Sequence, residues 1–444
     1  MARLANILLA GVDADRLDRI SRALEDGGYA VERALGYAAA RDAVAREVPD
    51  VLVTTLGLDE QDGLALCREV RAGEASANVP VFLVVDSDAV PHSDTVLDAG
   101  VDDLIRDPFE VEELVWRIRP LGRLSTMHME LHRRALAARS FAVHVPERIT
   151  RPEEATGYTV LTVGSDRAEH LRALLGDSTE VRSVDSLLEV EPKLTDREVE
   201  ADAVVLDVTA DNQDPALDLC TEVRNNPRLF NLPVVLVADK DLFPDVALPY
   251  RRGASRLLEG EVSEDRLRTA LMLLMRRQRL RWHLRGALMT TLTPATRDSH
   301  ASAYGRPFLD RYLESAVKDA HDWHKALSVV FFYIPNITSL SQQFGDAAAF
   351  NLLDQMGQWI GGLVRAEDLV SRFGGNEFCT VLPDTPIEEA EVVMHRIAGV
   401  LSFTDFAVPD VYQPVSVWVQ VGSALLESGD DVDSLIARAR ENLS

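Results

Sequence analysis

Cys67-Arg68-Glu69-Val70-Arg71, followed by Val79-Pro80-Val81-Phe82-Leu83-Val84, is the stretch from which the fold can be read, because it occurs twice. It returns as Cys220-Thr221-Glu222-Val223-Arg224 and Leu232-Pro233-Val234-Val235-Leu236-Val237, at a constant offset of 153 residues. Asp86 and Gly100 return at the same offset as Asp239 and Gly253. A self-similar segment of this kind marks a duplicated domain, here of about 120 residues. In each copy short apolar runs alternate with amphipathic stretches. The runs at 6–10, 51–54 and 81–85 predict strands in the first copy, and those at 159–163, 203–206 and 234–237 in the second. Apolar strands separated by helical periodicity predict a parallel, doubly wound sheet in each copy.

Working outward, residues 119–157 join the copies through a basic helical stretch and a Pro-containing loop. His128 and His132 stand at i, i+4 there, without an evident third metal ligand. After the second copy a helix is expected from 264 to about 289, with Arg276, Arg277, Arg279, Arg281 and Arg285 on it. Those arginines should be solvated or pair with acids across an interface. From 297 onward the pattern changes to helix, strand (327–334), helix (346–363) and then a hairpin with arms 369–373 and 377–382 around Gly374-Gly375. Two adjacent glycines between apolar runs favour a hairpin because both tolerate positive φ. A helix at 387–401, a strand at 415–421 and a helix at 431–443 complete the region.

Composition narrows the function. The 444 residues, 46% hydrophobic and 27% charged, suit a multidomain globular protein. With 72 acids against 46 bases the net charge is −26, which repels nucleic acid and anionic membrane surfaces. Cys67, Cys220 and Cys379 are too far apart for a metal knuckle and read as small buried hydrophobes. No apolar run reaches a membrane span and the N-terminus lacks a signal-peptide layout, so a cytoplasmic protein without membrane insertion is expected.

These patterns carry a resemblance. The repeated domain resembles the receiver domain of response regulators. The third, with Gly374-Gly375-Asn376-Glu377-Phe378 at its hairpin, resembles the GGDEF or diguanylate cyclase domain. Together they imply an α/β protein of two tandem flavodoxin-like receivers followed by an α+β, nucleotidyl-cyclase-like GGDEF domain. The expected limits are 1–122, a linker at 123–156, 157–283, a linker helix at 284–299, and 300–444. This is the architecture of PleD-like response regulators, and its degeneracy resembles the PopA-type branch.

The resemblance also locates what is missing. Receiver phosphotransfer needs an acid pair, an Asp nucleophile, a Thr or Ser and a Lys. Copy one has Gly11-Val12, Thr55, Val85 and Asp107 at those positions. Asp13 and Asp15 lie out of register and read as a loop residue and a helix cap. Copy two keeps Asp207 at the nucleophile position, a relic phosphoacceptor beside Gly164-Ser165, Ala238 and Gly260. In the cyclase the metal acids fall on Tyr333 and Asn376, and the guanine readers on Ser341 and Phe350. Thr338 replaces a phosphate-contacting Lys, and the entry motif survives only as Asp298 and Arg306. An amide or phenol cannot replace carboxylates beside Mg²⁺ and a triphosphate, so no catalytic residue, metal or cofactor is expected.

One pattern survives. Arg365-Ala366-Glu367-Asp368 is an RxxD motif separated from Gly374 by five residues, the spacing of the family's inhibitory site, and Arg396 falls at a third basic position. An Arg fork matches guanine O6/N7 or a phosphate, and an Asp accepts from guanine N1–H and N2–H. The trio therefore implies cyclic di-GMP as ligand. The plainer alternative is a surface ion pair contributing under ~1 kcal/mol. The resemblance further implies an effector that recruits protein partners, such as a cell-cycle regulator for an ATP-dependent protease. Location at the cell pole and a homodimer through the receivers are implied with it. A scaffold that ignores ligand and a residual cyclase are the alternatives.

Overall fold

The computed structural model describes residues 3–87, 89–149, 157–196, 199–226, 228–409 and 411–444. Residues 150–156 of the expected linker lie outside these. The chain forms two compact units: Asn6–Ser125 with the described part of Thr150–Trp282, and residues 3–5 with Thr126–Ile149 and His283–Ser444.

In the first unit, copy one runs β1 (Asn6–Gly11), α1 (Ala14–Asp26), β2 (Ala30–Leu35), α2 (Tyr37–Arg46), β3 (Val51–Thr55), α3 (Gly63–Ala72), β4 (Val81–Asp86), α4 (Ser93–Asp98), β5 (Asp103–Asp107) and the part up to Ser125 of α5 (Val111–Arg139). Copy two runs β6 (Tyr158–Val163), α6 (Ser165–Leu175), β7 (Thr179–Val184), α7 (Val190–Thr195), β8 (Ala203–Val208), α8 (Gln213–Asn225), β9 (Val234–Ala238), α9 (Ala247–Arg251), β10 (Arg256–Glu259) and α10 (Glu264–Thr290). The parallel sheets have orders β2-β1-β3-β4-β5 and β7-β6-β8-β9-β10, the flavodoxin-like winding. β3 is buried at every position, as an inner parallel strand covered on both faces must be. Cys67 and Cys220 are buried at matching places on α3 and α8.

Both last helices are longer than a receiver requires: α5 continues through the stretch after residue 122, and α10 through the one after residue 283. Within the chain, the faces built on these elements pack the two receivers against each other. Asp103, 1% exposed, accepts from Arg117 and Arg256 at 2.5 Å each and from Arg277 at 3.3 Å. Arg268 pairs with Asp94 at 2.6 Å, and Tyr250 donates to Glu113 at 2.7 Å. Of the two readings of the arginines on α10, the acid-paired one describes Arg277 and Arg279, the latter paired with Asp202. Arg285 stays exposed.

The second unit holds α11 (Arg306–Trp323), β11 (Leu327–Tyr333), α12 (Asn336–Phe344), α13 (Asp346–Leu363), β12 (Leu369–Gly374), β13 (Glu377–Pro383), α14 (Ile387–Ser402), β14 (Asp405–Phe406), β15 (Val415–Ser416), β16 (Gln420–Leu425) and α15 (Val432–Glu441). The antiparallel sheet has order β12-β13-β11-β16. Alternation along β11 serves two cores: Val330 and Phe332 face α13 and α14, while Val329 and Phe331 face α11 and α15. The hairpin turns at Gly374 and Gly375, with φ of 152° and 52°.

The strand expected at 415–421 is two. Asn336 donates to the Ser416 carbonyl at 2.9 Å and accepts from the Trp418 amide at 3.2 Å. This one side chain takes backbone groups a continuous ladder would have used. β15 pairs instead with β14.

Candidate ligand site

The RxxD segment is the turn between α13 and β12. The Asp368 carboxylate Oδ2 accepts from the Arg365 amide at 2.9 Å, closing the turn on itself. Its Oδ1 has no hydrogen-bond partner among the described residues. Burial, then the Glu367 charge, pushes the Asp368 carboxyl up to about 7, against the pull of Arg365 and Arg134. The Arg365 side chain lies 3.4 Å from Glu389 on α14. Burial disfavours its charge, but the carboxylates of Asp368, Glu367 and Glu389 together hold its pKa up. Arg396, two turns beyond Glu389, donates to the Leu363 carbonyl at 2.8 Å. Burial and the Arg365 charge lower its pKa. The structure thus brings Arg365, Asp368 and Arg396 together where α13, β12 and α14 meet.

Two neighbours were not singled out in the sequence. Glu389 was legible as the residue seven before Arg396 on one helix face. Arg134, whose guanidinium donates to the Glu367 carbonyl, comes from α5 and has no local signal.

The degenerate positions are built into other interactions. Asn376 donates to Thr338 Oγ1 at 2.8 Å, so the position of one metal acid carries a donor. Tyr333 at the other is a phenol. These residues do not fit a divalent cation. Glu377 is paired with Arg440 at 2.8 Å. Phe350 is stacked against His300 with ring centroids 3.7 Å apart and planes 9° from parallel. Ser341 donates to Asp346 at 2.5 Å. The residues at the two guanine-reading positions are therefore engaged with protein side chains. Asp298 accepts from Arg372 at 3.0 Å, and Arg372 also donates to the Gly375 carbonyl, bracing the hairpin. Arg306 sits 3.7 Å over the Phe373 ring.

In copy one Arg16 lies 3.0 Å from Asp86 and 3.4 Å from Asp107. Asp13 accepts from the Asp15 and Arg16 amides as the cap of α1. In copy two Arg167 grips both oxygens of Asp207, through Nε at 2.8 Å and through Nη2. Among the described residues no three His, Cys, Asp or Glu side chains are grouped to hold a metal ion. No helix among them is long and apolar enough to cross a membrane.

The fold and the domain matches give a response regulator in which receiver domains are followed by a GGDEF domain. Residues 7–119 match the response regulator receiver domain, and residues 295–444 the diguanylate cyclase, GGDEF domain. The chain is related over nearly its whole length to Response regulator PleD of Caulobacter vibrioides, at 25% identity over 419 residues, 94% of this chain and 91% of that protein. Response regulator MprA of Mycobacterium leprae is 39% identical over 117 residues, covering 26% of this chain and half of MprA. Among solved structures, the GGDEF domain of DgcB from Caulobacter crescentus in complex with c-di-GMP is similar to 34% of this chain. The match covers 88% of that domain, at 18% identity and a TM-score of 0.32.

Proposed function

We propose that this chain is a cyclic di-GMP-binding effector without diguanylate cyclase activity. The observation that carries the reading is the convergence of Arg365, Asp368 and Arg396, with Asp368 Oδ1 left without a partner. Two guanidiniums and one carboxylate suit a ligand with two guanines and two phosphates. Against catalysis stand Tyr333 and Asn376 at the metal positions and the His300–Phe350 stack at a guanine-reading position. The Arg167–Asp207 pair supports reading Asp207 as a relic, because a guanidinium occupies both carboxylate oxygens. Ligand binding would bias the arrangement of the chain and present a surface for protein partners. The PopA-type resemblance adds delivery of a cell-cycle regulator to a protease at the cell pole. A homodimer through the receiver domains belongs to the same reading.

A ligand-independent scaffold is the second reading. It is favoured by the contacts that already engage Arg365 and Asp368, namely Glu389 and the Arg365 amide. Calorimetric titration of cyclic di-GMP into the wild type and Arg365→Ala separates the two. Micromolar or tighter binding, about −8 kcal/mol, lost in the variant, is expected. No heat with the wild type would leave the scaffold. GTP with Mg²⁺ or Mn²⁺ should yield no cyclic product.

A further inference from the structure

A cavity of about 320 Å³ lies between α5 and the β9–β10 side of the second receiver, wholly inside the receiver unit. Its lining holds seven arginines and one carboxylate, Asp103, which is shared by Arg117, Arg256 and Arg277; from outside the lining Glu113 pairs with Arg117 and Asp245 with Arg251. So basic a concavity runs against a net charge of −26.

The duplication supplies an internal reference for one of these arginines. In copy one Arg71 donates to the carbonyls of Val79 and Gly100 and pairs with Asp102 at 2.7 Å. Arg224, its counterpart 153 residues on, makes the same kinds of backbone contact, to Phe230 at 2.5 Å and Leu232 at 2.9 Å. The residue matching Asp102, however, is Ser255, which accepts from Arg224 at 2.8 Å. Asp102 accepts from the Val81 amide at 2.7 Å, and Ser255 from the Val234 amide at 3.3 Å, so position 255 keeps the backbone role of position 102. Gly253 allows the Arg224 side chain to pass, since a Cβ there would lie 2.3 Å from its Cγ. Arg224 has therefore kept its seat and lost its counter-charge. Among the described residues its donors meet only two carbonyls and a hydroxyl. Burial, with the Arg277 charge adding to it, lowers its pKa to about 10. An underneutralised guanidinium in a basic cavity is completed by an anion.

The walls add Trp116 and Phe230, apolar rings beside the arginine cluster. Phosphate chemistry suits the guanidinium forks, a planar base suits the rings, and the volume is within the range of small-molecule sites.

We propose that the cavity around Arg224 is a binding site for a nucleoside polyphosphate, whose phosphates complete the charge of Arg224 and whose binding clamps the two receivers together. This site is separate from the RxxD turn and stands whether or not that turn binds cyclic di-GMP. The test uses the full-length chain carrying Arg365→Ala, which removes the turn as a ligand site. GTP and pyrophosphate are titrated calorimetrically into it. Saturable binding at one site per chain is expected, with GTP tighter than pyrophosphate. Adding Ser255→Asp should weaken both by about tenfold or more, because the new carboxylate pairs with Arg224 as Asp102 does with Arg71. The same substitution should raise the thermal midpoint without ligand, which shows that the variant is folded and that Arg224 has gained its partner. The absence of saturable binding, or binding unchanged by Ser255→Asp, overturns the site. Equal affinities for GTP and pyrophosphate overturn the nucleoside assignment.

Discussion

Asp368 has one carboxylate oxygen in a structural clasp and, in the proposed function, the other for a ligand. Its Oδ2 is committed to the Arg365 amide, while Oδ1 is unpartnered. Its carboxyl is raised to about 7, so below neutrality it is protonated and a poor acceptor for guanine N–H groups. Cyclic di-GMP should therefore bind about tenfold more tightly at pH 8 than at pH 6, and titrations in matched buffers would show it. The same shift sets a stability trend. Between its unfolded value near 4 and 7 the folded state holds the extra proton, so stability should fall as pH rises through that window. Asp368→Asn should flatten this fall in urea melts, and an unchanged slope would refute the assignment. Glu389 contributes in the opposite sense. It competes with an anionic ligand for Arg365 at 3.4 Å, so Glu389→Gln should tighten cyclic di-GMP binding several-fold, read by the same calorimetry.

At the scale of elements, the informative cases are those where side chains overrode the local pattern. The apolar alternation at 415–421 reads as one strand, yet Asn336, some eighty residues earlier, claims Ser416 and Trp418 and splits it. Asn336→Ala should cost about 0.5–1 kcal/mol, the net worth of hydrogen bonds whose exposed backbone groups water can take over. Chemical denaturation of the full chain measures that. At the start of α6, Arg167 clamps Asp207, so incubation with acetyl phosphate should give no phosphorylated species by mass spectrometry. The three inner strands of each copy, α13 and the glycine hairpin were legible because each rests on local periodicity or turn chemistry, whereas the less apolar edge strands β2, β5, β7 and β10 were not. The short β14–β15 pair and the separate α12 were not, since their pairing and limits depend on distant partners.

On the scale of the whole molecule, the receiver unit is held by a charge that composition could not reveal. Asp103 lies at the centre of three arginines contributed by α5, β10 and α10. Removing one member of a buried ionic cluster leaves the others desolvated and uncompensated. Asp103→Ala should destabilise the receiver unit by about 3–5 kcal/mol, seen as a lowered transition in calorimetric melts. The GGDEF-containing unit takes Thr126–Ile149 from the sequence between the receivers, and Arg134 from that stretch reaches the Glu367 carbonyl next to Asp368.

By itself the sequence determined the duplication, the parallel and antiparallel layers, and the identities of Arg365, Asp368 and Arg396. Periodicity, glycine turns and residue type act over a few positions and need no partner to be read. Only the tertiary structure decided that the trio converges with Glu389 and Arg134, that His300 stacks on Phe350, and that Arg167 holds Asp207. It also decided that the two receivers pack on each other through Asp103 and that Arg224 lacks the carboxylate its twin possesses. Each of these depends on which side chains meet across tens or hundreds of residues. Burial and charge at such meetings are set by packing, which no local pattern encodes.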